Sequence, residues 1–219
     1  MSQLSKNCCM EPGVAIDILL QERDKRGRLI KERNEVGHSF VGNFLKILFG
    51  MMHGTYNINS GGAALACQDT SNTTRTGIDL IIGSNIYYNM NCDAPVTDDT
   101  YGIVVGTGDT APDIADYNLE TKVLHGSGVA GKLNYADHSL VAPTYDESGG
   151  WSLCGLIRTF SNNSGGSIII KEIGLISKMH FEHRSTYRYF LLIRDVLGSP
   201  FTVTNGNSVT VQYRIRCNV

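Results

Sequence analysis

The chain has 219 residues, of which 42% are apolar and only 18% charged, with 24 glycines. That length suits one domain of moderate size with a sizeable core, and the glycines call for many turns. Nineteen basic against 21 acidic residues leave a net charge of −2, which argues against nucleic acid as the main ligand because little attracts a polyphosphate backbone.

Residues 1–12 are polar, carry Cys8 and Cys9, and show no apolar stretch of the signal-peptide kind, so synthesis in a cytoplasm is expected. Residues 14–34 read as a β-hairpin. Val14, Ile16 and Ile18 alternate with Ala15 and Asp17, and Asp24-Lys25-Arg26-Gly27 supplies the turn. Its arms are highly charged, which suits a hairpin that projects or lies at a sheet edge. Residues 1–35 are therefore set apart as an N-terminal extension, and residues 36–219 as a domain of one helix plus strands.

The one convincing helix covers residues 39–54, with Ser39 as N-cap and Gly54 as C-cap. Phe40, Phe44, Ile47, Leu48 and Met51 share a stripe that Val41, Leu45 and Met52 widen. A stripe this broad wants burial on most sides, either against the chain's own sheet or in a neighbouring subunit. The apolar run at 40–52 is interrupted by Gly42, Asn43, Lys46 and Gly50 and is too short to span a bilayer. No membrane is expected as a partner.

Residues 55–76 read as a long polar loop. Short strands follow at 78–82, 86–90, 102–105, 132–135, 152–160, 167–175, 188–193 and 208–217. Residues 161–166 form a strong hairpin turn. In the last strand Val209, Val211, Tyr213, Ile215 and Cys217 alternate with polar residues, as a half-buried strand does. The fold class is mainly β, a β-sandwich of jelly-roll character with one N-terminal amphipathic helix and a projecting hairpin.

Within this series, Ile103 to Val105 run into Gly106-Thr107-Gly108 and then meet Pro112 among short acidic and polar residues. A phosphate-binding loop would open a helix here, and Pro112 and its neighbours do not. Asp109, Asp113 and Asp116 crowd the loop as turn caps or, alternatively, as ligands of a structural cation, without the spacing of an EF-hand. His180 and His183 bracket Glu182 in a polar connection, a surface loop or less naturally a metal pair. Asp93, Asp98 and Asp99 sit in turn sequence beside Pro95. Tyr87, Tyr88, Tyr101, Tyr117, Tyr135 and Tyr145, with Trp151, suit a core and subunit contacts, or a sugar-stacking platform. The sequons at Asn72 and Asn162 are chance matches. No nucleophile elbow is present, so no catalytic residue, metal ligand or cofactor is assigned.

The six cysteines, Cys8, Cys9, Cys67, Cys92, Cys154 and Cys217, contain no Cys-x-x-Cys pair. They are either buried inert thiols or, for Cys8, Cys9 and Cys217 near the chain ends, candidates for disulfides between copies formed after release into an oxidising medium.

The order of the helix at 39–45, Gly102-Ile-Val-Val-Gly-Thr-Gly-Asp-Thr-Ala-Pro112, Asp116-Tyr-Asn-Leu-Glu-Thr-Lys122, Gly131-Lys-Leu-Asn-Tyr135, Arg158-Thr-Phe-Ser-Asn-Asn-Ser-Gly165, Ile169-Ile-Lys-Glu-Ile-Gly-Leu175, Arg194-Asp195 and residues 203–215 resembles structural proteins of tailed-bacteriophage virions, of the neck, collar, tail and head-fibre kind. The likeness covers about 175 residues, from the helix to the C-terminus. It implies a virion protein that assembles with copies of itself and with other virion proteins and performs no catalysis. Candidate interface residues are Phe40, Phe44, Leu48, Met51, Val14 and Ile16, with Cys8, Cys9 and Cys217 as possible staples. The rival reading is a receptor-binding module for host-surface glycans.

Overall fold

Apolar alternation in strands far apart in sequence sets the architecture. A computed structural model of the chain describes residues 13–37, 39–53, 66–76, 90–146, 149–181 and 186–218. They form a mainly β protein with one helix among them, α1 (Gly42–His53). The strands are β1 (Gly13–Arg23), β2 (Leu29–Gly37), β3 (Cys67–Gln68), β4 (Thr74–Arg75), β5 (Gly102–Gly106), β6 (Asn134–Asp146), β7 (Trp151–Ser161), β8 (Ile168–Phe181), β9 (Thr186–Val203) and β10 (Ser208–Asn218). They build an antiparallel five-stranded sheet in the order β2-β1-β10-β7-β6, a three-stranded sheet β5-β8-β9 and the small pair β3-β4.

The hairpin expected at 14–34 is present, but it does not project. β1 pairs with the C-terminal β10 from Gly13↔Asn218 to Arg23↔Ser208, so only β2 is an edge. Ile16, Ile18 and Leu20 of β1 are buried in the same apolar cluster as Val209, Val211 and Tyr213 of β10. Burial of that stripe outweighs the charges on the other side, and residues 13–37 belong to the five-stranded sheet rather than to an extension. The strands expected at 78–82 and 86–90 lie outside the described residues, apart from Met90.

Polar side chains of the five-stranded sheet pin the segment that leads into β5. Arg158 of β7 is completely buried. It donates from Nε to Ala136 O (2.9 Å), from Nη1 to Tyr101 O (3.3 Å) and Ile103 O (3.1 Å), and from Nη2 to Pro95 O (3.1 Å) and Asp98 O (2.6 Å). Its guanidinium also lies 4.7 Å from the Tyr135 ring centre, a cation–π contact. His138 of β6 accepts from Ile103 N–H at Nε2 (2.9 Å) and so donates from Nδ1 to Ala94 O (2.9 Å). Across the sheets, Tyr213 donates to Asp195 Oδ2 (2.9 Å) and lies 3.2 Å from Ile173 O.

Two predictions follow from these pins. Arg158→Leu strips donors from five carbonyls, and urea denaturation should show a loss of about 3 kcal/mol or more; a loss below about 1 kcal/mol contradicts the assignment. His138 is held down to about 4, chiefly by burial, against about 6.5 in an unfolded chain. The unfolded chain binds the extra proton between those values. This stability is therefore complete above about pH 6.5 and disappears as pH falls towards 4. Between pH 7 and 4 the wild type should lose about 3 kcal/mol more than His138→Gln; equal losses contradict the assignment.

Candidate functional site

The loop after β5 cradles a carboxylate of its own chain. Glu172 of β8 is fully buried. Its Oε1 accepts from Gly108 N (3.1 Å) and Thr121 N (2.7 Å), and its Oε2 from Glu120 N (3.1 Å) and Arg194 Nε (2.9 Å). Glycine is required at the two loop positions. A Cβ on Gly106 would stand 2.4 Å from Glu172 Oε1 and 2.6 Å from Thr121 O, and one on Gly108 would stand 2.5 Å from the Glu120 Cβ. The amides of Gly108, Glu120 and Thr121 thus do for an internal anion what backbone amides do for phosphate elsewhere.

Arg194 completes this centre, reaching Asp116 Oδ2 (2.9 Å), Thr110 O (3.1 Å) and Glu120 Oε2 (3.6 Å). Of the three aspartates read as turn caps or cation ligands, Asp116 bonds Arg194, Asp109 pairs with Lys171 (2.7 Å) and Asp113 accepts from Ala115 N (2.8 Å). Among the described residues no three His, Cys, Asp or Glu side chains are grouped to hold a metal. His180 is buried, its ring 4.5 Å from that of Tyr187, while His183 lies outside the described residues.

Helix α1 leaves much of its apolar surface open. It docks through Asn43 and Ile47, both buried, with Val41 just before it. Asn43 behaves like a strand residue, donating to Gln68 O (2.8 Å) and accepting from Gln68 N (3.0 Å). Lys46 Nζ donates to Ala66 O (2.9 Å). With that side inward, Leu45 (58% exposed), Leu48 (37%), Phe49 (55%) and Met51 (42%) face outward. Phe40 and Phe44 stack at 4.2 Å and are partly buried against the core.

A second apolar surface lies at one end of the five-stranded sheet. Residues opposite one another in antiparallel strands share a face, so Val14, Cys217, Ser152 and Tyr145 form one row and Ile16, Ile215 and Cys154 the next. Ile16 is covered by its own core, which removes it from the candidate interface set. Val14, Tyr145, Cys154 and Cys217 are exposed. The same end opens into a cleft of about 860 Å³ lined by Phe44, Cys92, Leu140, Cys154, Leu156 and Ile215, among others. Among the described residues, the Cys67 and Cys92 thiols are pushed up to about 12 by burial, which makes them poor nucleophiles. The sequence reading missed Cys154 as a surface thiol. Cys8 and Cys9 lie outside the described residues.

The interior centre is testable. Glu172→Gln and Arg194→Met should each be destabilising, by about 3 kcal/mol, because each breaks a buried ion pair, and the remaining partners (Asp116 and Glu120 on Arg194, three amides on Glu172) offset only part of the loss. The double variant should cost clearly less than the sum of the two in a urea-denaturation cycle; additive losses contradict the pairing.

No helix among the described residues is long and apolar enough to cross a membrane. Comparison with known proteins identifies no family model, no curated relative and no solved structure that matches the chain.

Proposed function

We propose that the chain is a non-catalytic structural subunit of a tailed-phage virion, at a neck, collar, tail or head-fibre position. It works by packing against copies of itself and other virion proteins. In this reading the five- and three-stranded sheets form a β-sandwich of jelly-roll character, with α1 as its amphipathic helix. The motif order described above supports the virion assignment. The observation that carries the packing role is the outward face of α1, where Leu45, Leu48, Phe49 and Met51 are each more than a third exposed. Apolar groups clustered this way mark a surface meant to be covered. Covering them is worth about 25 cal/mol per Å² of apolar area removed from water, so four such side chains supply several kcal/mol. Exposed Cys217, with Cys8 and Cys9, offers disulfides between subunits as a further link.

The glycan-binding reading has less behind it. A polar cleft of about 520 Å³ beside Arg194 includes Tyr117, Asp116, Asn118 and Glu120. Asp116, Asn118 and Glu120 already bond Arg194, Thr70 O and Thr110 N within the chain.

Leu48→Asp/Phe49→Asp tests the packing role. Both positions face away from the core, so the variant should keep its fold by circular dichroism. Sedimentation should show the wild type as an oligomer and the variant as a monomer. A monomeric wild type, or a variant that assembles normally, contradicts the proposal.

A further inference from the structure

The outer face of the five-stranded sheet carries two arginines whose bonds are incomplete. Ile16 and Ile18 of β1 are buried in the core, so Asp17 between them and its partner Arg214 on β10 point outward, and Arg216 follows on the same side. On β7, Leu153 lies opposite Arg216 and Trp151 opposite Asn218, while Val36 of β2 lies opposite Asp17. With Asn34 and Glu35 these residues line a cleft of about 360 Å³.

Each guanidinium is tied down at one end. Arg214 donates from Nη2 to Asn34 Oδ1 (2.9 Å), and Arg216 from Nη2 to Asp17 Oδ1 (3.2 Å). The Nε of both is shielded from water and bonds nothing among the described residues. A shielded donor without an acceptor is uncommon in folded proteins, and an external acceptor gains most at such a place. Charge sets the kind of acceptor. Asp17 balances Arg216, and Glu35 is engaged by Arg33 (2.9 Å) and Gly198 N (3.0 Å). Arg214 has no carboxylate partner among the described residues, which leaves the cleft one positive charge to spare. A single negative charge matches it, whereas a doubly charged phosphate would face Asp17 and Glu35 with charge left over.

We propose that this cleft binds an acidic sugar, a six-membered ring bearing one carboxylate, with the carboxylate on Arg214 and Arg216 and the ring against Trp151. The two arginines lie about 7 Å apart along β10, a spacing that their flexible stems bridge onto one anion. The indole of Trp151, with Val36 and Leu153, offers an apolar wall to the C–H face of a ring. Asn34 Nδ2 and Asp17 Oδ2 bond nothing among the described residues and suit hydroxyl groups. The cleft beside Arg194 differs, because its polar groups are engaged within the chain. The sugar site is complete within one subunit and lies on the sheet rather than on α1, so it goes beyond the packing role and does not depend on it.

Trp151 is the one tryptophan of the chain, so its fluorescence reads the site directly. The test titrates the full-length protein with methyl glucuronoside, with methyl glucoside as the neutral analogue and glucose 6-phosphate as the dianion, and repeats each titration by calorimetry. The glucuronoside should bind saturably with a Kd of about 1 mM, and the other two at least about tenfold more weakly. Arg214→Leu, with its fold checked by circular dichroism, should weaken the glucuronoside by about tenfold or more. Arg214→Lys, which keeps the charge and loses the fork, should fall between. No saturable binding by either readout up to about 50 mM, equal binding of the neutral sugar, or tighter binding of the phosphate overturns the proposal. So does a folded Arg214→Leu that binds as the wild type does; where that variant does not fold, the three sugars on the wild type decide. Leu48→Asp/Phe49→Asp should bind the glucuronoside unchanged, so the two proposals fail separately.

Discussion

The four hydrogen bonds that reach Glu172 hold the order of the structure around β5. A carboxylate taken wholly out of water is costly unless its oxygens are fully partnered. Here three loop amides and the Arg194 guanidinium do so. That single requirement fixes the path of the loop after β5, forbids a side chain at Gly106 and Gly108, and ties β8 to β9 through Glu172 and Arg194. It also accounts for the acidic character of the loop, since Asp116 and Glu120 share the other side of Arg194. Of the carboxylates that resemble a cation site in the sequence, Asp116 balances Arg194, Asp109 pairs with Lys171 and Asp113 caps its own turn.

Arg158 and His138 do the corresponding work on the other flank. Both reach from the five-stranded sheet to the segment before β5 and satisfy backbone groups there, without an ion pair. The three-stranded sheet is thereby held from two directions. Such a frame has little freedom to lose on association, so apolar surfaces it presents are ready to be covered at small entropic cost. Two such surfaces stand out, the outer side of α1 and the open end of the five-stranded sheet.

What the sequence made legible was local. The alternation of Val209, Val211, Tyr213 and Ile215 and the hairpin turn at Asp24 appear as read. Residues 161–166 do turn, with Asn162 Oδ1 accepting from Ser164 N, but they carry the chain from β7 in one sheet to β8 in the other and close no hairpin. The pairing of β1 with β10 was not legible, because nothing within either strand names a partner almost two hundred residues away. The orientation of α1 was hidden for a different reason. Its apolar residues run nearly all round, and a polar residue, Asn43, turned out to mark the inward side through its bonds to Gln68. Arg158 and Glu172 carried a usable signal that charge obscured. Arg158 lies between Leu156 and Phe160, and Glu172 follows Ile168 and Ile170, each at the inward step of a period-two pattern. A charge in that position indicates a buried, fully bonded centre. Cys154 follows the same logic, since it lies opposite Ile215 on a face that runs out past the core.

The central claim is that this chain acts through surfaces that other copies or neighbouring proteins cover. A reconstruction of the assembled protein by electron microscopy tests it most directly. The account expects Leu45, Leu48 and Phe49 of α1 to be enclosed at a contact between subunits, with the Glu172–Arg194 centre unchanged inside each one. A well-resolved assembly in which that side of the helix faces open solvent would contradict it.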